Sequence, residues 1–237
     1  MRTEDRLVAG QVALVGLFVT ALVTAQLTAS KLLMFQIPFE LPFTGSSLVM
    51  PGAALAYALT FFASDCYSEL YGRRAAQVLV NVGFAMTLVM LALVYTTIEA
   101  PIAPFSGVGQ DAFARVLWSS ANVVAGSLLA YVVSQNWDVL AFHAIRRRTD
   151  GAYLWLRNVG STATSQAIDT VIFVTVAFAV APALFGVGTA YSTNQILGLI
   201  VGQYALKLAI AVLDTPFVYA VRRAFGDGER AVAAAAE

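Results

Sequence analysis

Ala75-Ala76-Gln77-Val78-Leu79-Val80-Asn81-Val82-Gly83-Phe84-Ala85-Met86-Thr87-Leu88-Val89-Met90-Leu91-Ala92-Leu93-Val94-Tyr95 contains no charged side chain. At 1.5 Å per residue, a helix over this run is about 30 Å long, the thickness of a bilayer's hydrocarbon core. The apolar residues are continuous and do not alternate with period two, which selects a helix over a barrel strand. Working outward, the charged turn Ser68-Glu69-Leu70-Tyr71-Gly72-Arg73-Arg74 precedes the run, and Pro101, Pro104, Gly107 and Gly109 mark the loop that follows it. Similar spans are expected over 7–33, 48–66, 116–142, 158–179 and 194–219, with breaks at Pro38, Pro42 and Gly45, at Asp150-Gly151, and at Pro182, Gly186 and Gly188. The first span is too long for the apolar core of a signal peptide and is expected to remain in the mature protein.

Composition agrees with this reading. Of the 237 residues, 59% are hydrophobic and 12% charged, against roughly 25% charged in an ordinary soluble domain. The mean hydropathy is +0.75, which excludes a soluble enzyme and leaves apolar surface that must meet lipid. Cys66 is the single cysteine and His143 the single histidine, so neither a disulfide, a metal cage nor a cofactor is expected. Net charge is +0, from 14 basic and 14 acidic residues, so no global field attracts nucleic acid. No Gly-x-x-x-x-Gly-Lys-Ser/Thr loop occurs, and no nucleophile and base pair suggests an enzyme.

The expected fold class is therefore an all-α integral membrane protein, a single bundle of six transmembrane helices over 1–237. Arg2, Arg6, Arg73, Arg74, Arg146, Arg147, Arg148, Arg157, Arg222, Arg223 and Arg230 fall on one side, and the opposite loops offer Arg115. Both termini are therefore expected in the cytoplasm, with 220–237 as a tail.

Polar residues inside the spans carry the functional expectation. Asp169 lies about 18 Å beyond Arg157, near the midplane, and Lys207 lies at a similar depth from the other side. Each charge costs roughly 2.5 to 3.5 kcal/mol at the centre of a membrane helix, so both should face an interior. Ser165 and Asp169 share a face, with Gln166 one turn from Asp169, while Gln203 and Lys207 are i,i+4. A structural salt bridge is the plainer reading, and a ligand site the sharper one. Asp65, Glu69, Asp138 and Asp214 sit near cytoplasmic helix ends, where pairing with Arg competes with a gate or ion-coupling role. Lys31 and His143 read as interfacial residues. Gly198-x-x-x-Gly202 and the row Ala21, Ala25, Ala29 allow close helix packing, inside the protomer or in a homodimer. The alanine row also resembles the docking stripe on the first helix of substrate-binding subunits of energy-coupling-factor vitamin transporters.

Two blocks resemble a known family. Phe62-Ala63-Ser64-Asp65-Cys66-Tyr67-Ser68-Glu69-Leu70-Tyr71-Gly72-Arg73-Arg74-Ala75-Ala76 is similar to the Asp-x-x-x-Glu-x-Tyr-Gly-Lys/Arg-x-x-Ala signature of the queuosine precursor transporter family, also called the vitamin uptake transporter family. Residues 156–173 resemble its Arg-x-x-x-Ser-Thr, Ser-Gln-x-x-Asp-Ser/Thr and Phe pattern, and Lys207, Thr215-Pro216 and Tyr219 add a third element. Ser30-Lys31 departs from the Asn-Lys of many relatives. The resemblance implies a plasma-membrane importer of a 7-deazaguanine, such as 7-cyano- or 7-aminomethyl-7-deazaguanine, for transfer RNA modification. It also implies the six-helix architecture of the vitamin-binding subunits. On this reading Gln166, Asp169, Gln203, Lys207 and Glu69 contact substrate, and Asp65, Glu69, Asp138 and Arg157 form a cytoplasmic gate. The alternative is a binding subunit driven by an ATP-dependent module docked on Ala21, Ala25 and Ala29.

Overall fold

The computed structural model describes residues 3–150, 154–189 and 191–235, with the side chains of 3–7, 154–158, 214, 215, 222 and 224–235 outside that description. The order is α1 (Thr3–Thr28), β1 (Leu32–Leu41), β2 (Gly45–Pro51), α2 (Ala53–Glu99), α3 (Gln110–Arg148), α4 (Leu154–Thr175), a π-helical turn (Val176–Val180), α5 (Ala181–Phe185) and α6 (Thr193–Ala235). Among the described residues, five helices are long and apolar enough to cross a membrane: Val8–Thr28, Ala53–Glu99, Gln110–Arg148, Val159–Phe185 and Thr193–Val221. The protein is predominantly helical, as its continuous apolar runs require.

The expected charged turn before 75–95 narrows to one residue. Gly72 has φ 82 and ψ 163 inside α2, with helix on both sides. Only glycine takes this backbone region without strain, because any Cβ there crowds its own peptide group. The parts 53–71 and 73–99 are each about long enough to cross ~30 Å of hydrocarbon.

The segment from 29 to 52 differs from the expected boundaries at 33 and 48 and adds one hairpin to an otherwise all-α membrane fold. α1 ends at Thr28, and β1 and β2 form an antiparallel hairpin pairing Leu32 with Pro51 through Gln36 with Ser47. The register shifts between Gln36 and Leu41, where Leu41 pairs with Gly45. Pro38 falls inside that shift, where its missing N–H breaks no ladder bond. Later helices also outrun expectation. α3 begins at Gln110 and ends at Arg148, Pro182 heads α5 where a loop was expected, and α6 continues past Pro216 through the expected tail to Ala235.

The chain packs as two compact units. The first comprises Met1–Lys31, Gly52–Thr97 and Ala205–Glu237. In it α1 packs on both parts of α2 through Phe18, Leu22, Ala63, Tyr67 and Leu79. A Cβ on Gly83 would stand 2.5 Å from Phe18 Cε1, so this seam needs hydrogen at that position. Gln11 Nε2 donates to the Tyr67 hydroxyl at 2.9 Å, which satisfies two polar groups inside the seam. The Gly52 N–H donates to the Lys31 carbonyl at 2.6 Å, tying the start of α2 to the end of the α1 segment.

The second unit comprises Leu32–Pro51 and Ile98–Tyr204. Its centre is the antiparallel pair α3 and α4, in close approach where Gly126 would place a Cβ 3.0 Å from Ala177 Cβ and the Phe173 carbonyl oxygen. Phe173, Phe178 and Tyr191 stack edge to face around the π-helical turn. Asn122 Nδ2 donates to the Val187 carbonyl at 2.7 Å and anchors the following loop. Gly198 and Gly202 of α6 receive the hairpin: a Cβ on Gly202 would overlap the Val49 carbonyl oxygen, and one on Gly198 would stand 2.5 Å from Thr44 Cγ2. The Gly-x-x-x-Gly therefore accepts a strand, where the sequence suggested another helix.

Candidate functional site

Both helices of the α3–α4 pair bury polar side chains. Ser120, Asn122, Ser127 and Ser134 of α3 and Ser161, Ser165 and Thr170 of α4 are all buried. Small side chains let two helices approach closely in a membrane, and their hydroxyls can satisfy themselves on their own helix. Ser120 Oγ donates to the Leu117 carbonyl at 2.6 Å and Thr170 Oγ1 to the Gln166 carbonyl at 2.8 Å. Such a seam holds polar chemistry without opening it to lipid.

Two carboxylates are built into it. Ser134 Oγ of α3 stands 3.3 Å from both Asp169 Oδ1 of α4 and the Tyr131 carbonyl, and Ser165 Oγ of α4 stands 3.4 Å from Asp138 Oδ1 of α3 and 3.0 Å from the Thr162 carbonyl, so each hydroxyl shares its one proton between its own helix and the facing carboxylate. Beside them, Trp137 Nε1 donates to Thr164 Oγ1 at 3.1 Å. Both aspartates are half-buried. Asp138 was expected at the cytoplasmic end of its helix, but α3 runs on to Arg148, about 15 Å further at helical rise. Asp138 faces Ser165, one turn of α4 from Asp169.

Other candidates are distributed between the units. Gln166 is half-buried on α4, in the same unit as Asp169. Gln203 is 8% exposed, and its buried Oε1 has no hydrogen-bond partner among the described residues. Its neighbour Tyr204 donates its hydroxyl to the Ala163 carbonyl at 3.2 Å, which brings this part of α6 to the level of α4 just before Ser165. Gln203 and Lys207 share a helix, yet the boundary between units falls after Tyr204, and Lys207 belongs with Asp65 and Glu69 in the first unit. Lys207 is half-buried there, while Asp65 and Glu69 are exposed on the first part of α2. The side chains of Arg157 and Asp214 lie outside the described residues. His143 and Lys31 are exposed, and the His143 ring meets Phe142 edge to face.

The alanine row packs closely, as its small residues suggest. Ala21, Ala25 and Ala29 are 4%, 0% and 0% exposed, a packing seam of this chain. Ser134 and Trp137 were not expected in the site. A signal for them existed, because Ser134-Gln135-Asn136-Trp137-Asp138 has the same Ser-Gln-x-x-Asp spacing as Ser165-Gln166-Ala167-Ile168-Asp169.

Residues 51–221 match the sequence profile of the family described as "Putative vitamin uptake transporter". A protein of Bacillus subtilis (strain 168) named "Probable queuosine precursor transporter" is 35% identical over 175 residues, covering 73% of this chain and 72% of that relative. No solved structure matches the chain. The profile match takes in all of α2, α3 and α4, and thus both carboxylates of the seam. With five apolar helices of spanning length, the protein is a multi-pass membrane protein, which in bacteria means the plasma membrane. From the profile match over most of its length and the identity to the Bacillus protein, the chain belongs to the vitamin uptake transporter family.

Proposed function

We propose that the chain is a stand-alone secondary transporter that imports queuosine precursors, 7-cyano- or 7-aminomethyl-7-deazaguanine, by alternating access. The observation that carries this reading is the half-buried Asp169 with Gln166 one turn before it, set in a seam of buried hydroxyls. A guanine-like base presents N1–H and an exocyclic amino group side by side, and one carboxylate can accept both. Its O6 needs a donor, which the Gln166 amide supplies. The unsatisfied Gln203 Oε1 is suited to accept a further N–H from the ligand. A base lacking these groups would leave buried polar atoms unpaired, which is the usual source of strong discrimination. Lys207 and Glu69 enter the proposal by chemistry alone, as a donor and an acceptor. Asp65 and Arg157 are assigned to the cytoplasmic gate, in a six-pass topology divided at Gly72 with both termini in the cytoplasm. The name of the Bacillus relative supports the substrate class.

The test is the queuosine content of transfer RNA in a bacterial strain lacking both precursor synthesis and its own transporter, supplied with nanomolar precursor. Expression of this chain restores queuosine if the proposal is right. No restoration, with the protein present in the membrane, removes the substrate assignment.

A further inference from the structure

The repeated Ser-Gln-x-x-Asp motif has a spatial counterpart. α3 and α4 run antiparallel, and each motif's serine hydroxyl faces the other motif's aspartate, at 3.3 Å and 3.4 Å. The two motifs are thus related locally by a two-fold axis across the helix pair, which sets their carboxylates on neighbouring turns. The copies differ in what surrounds the acid. In α4 the motif's amide, Gln166, is half-buried and the residue before the aspartate is Ile168. In α3 the amides point away: Gln135 is exposed, and the exposed Asn136 donates to the Val132 carbonyl at 2.6 Å. The residue before the aspartate is instead Trp137, 44% exposed and held by its indole N–H on Thr164, next to the serine that binds Asp138. One copy is a carboxylate with an amide, and the other is a carboxylate with an indole. A carboxylate with an amide suits a lactam edge, whereas a carboxylate beside an indole suits a cation. An independent polar atom also lacks a partner among the described residues, the buried Gln203 Oε1, brought level with the motif by the Tyr204 hydroxyl on Ala163.

We infer that Asp138 and Trp137 form a second subsite beside Asp169 that takes an ammonium group on the ligand, so that the transporter selects a 7-deazaguanine with a cationic 7-substituent over a neutral one. This rests on the proposed function and moves Asp138 from the gate to the binding site. A cation at Asp138 meets a carboxyl acceptor with an indole beside it.

The test measures uptake of labelled 7-aminomethyl- and 7-cyano-7-deazaguanine in the strain described above. Asp138→Asn should lower the ratio of aminomethyl to cyano uptake on the order of tenfold or more. Asp138→Glu should recover part of the difference. Equal losses for both bases, or no change in either, overturn the inference and return Asp138 to a gating or packing role. Should Asp138→Asn fail to reach the membrane, competition on the wild-type protein decides. The aminomethyl base should then out-compete the neutral 7-hydroxymethyl isostere on the order of tenfold, and equal competition overturns the inference. Wild-type cells that take up neither base overturn the proposed function itself, a result distinct from a lost preference.

Discussion

Gly202→Ala tests whether α6 is fastened to the hairpin main chain. The substitution adds one methyl group to a helix, where alanine is favoured over glycine by about 1 kcal/mol. Space opposes it. The new Cβ would overlap the Val49 carbonyl oxygen and lie 3.0 Å from its carbonyl carbon and 3.3 Å from its nitrogen. Those atoms are backbone in a paired strand, so no rotamer change relieves the collision, and the helix or the hairpin must move. Overpacking of this kind costs about 1–3 kcal/mol, and a clash with main chain belongs at the upper end. The net expectation is a loss of about 2 kcal/mol, or about 4–8 °C in Tm for a chain of this length. Two controls separate crowding from propensity. Gly198→Ala meets Thr44 Cγ2, the end of a side chain that can turn away, and should lose less. Gly16→Ala meets nothing within 4 Å and should gain stability. The assay is thermal unfolding of the purified protein in one detergent. A Gly202→Ala variant as stable as wild type would refute the close seat of the hairpin on α6.

Asp169→Asn should abolish uptake while membrane abundance stays normal, as measured by immunoblot beside the transport assay; retained transport would remove Asp169 from the site. Gly72→Ala forces an alanine into a backbone region open only to glycine, at a cost of about 1–3 kcal/mol, and a Tm equal to wild type would show that the break in α2 is not required. Gln203→Met removes a buried oxygen that has no partner among the described residues. Relief of about 1–3 kcal/mol should raise the Tm without ligand, while the stabilisation produced by added precursor should shrink. A lower Tm with undiminished ligand stabilisation would show that the Gln203 oxygen is not waiting for the substrate.

Much of the architecture is legible in composition and punctuation. Long uncharged runs mark the spans, and Gly72, set among Glu69, Arg73 and Arg74, marks the break in α2. The hairpin is not legible by alternation, because β1 and β2 form an isolated pair without a common buried face, and β1 is largely exposed along both sides. Pro38 and Pro42 suggest a loop, and only the register shift reconciles Pro38 with a strand. Within the site, Asp169 and Gln166 stand out because charge and amide in an apolar run are conspicuous. Asp138 reads as close to a helix end when counted from the end of hydrophobicity, whereas its helix continues through three arginines. The repeat of Ser-Gln-x-x-Asp carries that correction in the sequence, but only an antiparallel pairing gives it meaning. The Gly-x-x-x-Gly signals close approach without naming its partner, since a strand and a helix both present main chain.

The short connection from Arg148 to Leu154 bears on how the protein enters its membrane. A solitary aspartate offered to lipid resists partition, at roughly 2.5–3.5 kcal/mol near the centre of a span. Here each aspartate has its hydroxyl donor on the adjoining helix. α3 and α4 are thereby suited to leave the translocation machinery as a joined pair, each shielding the other's charge. Biogenesis would then favour release after α4 has been made, and the crossed serines would assist insertion before any solute is carried.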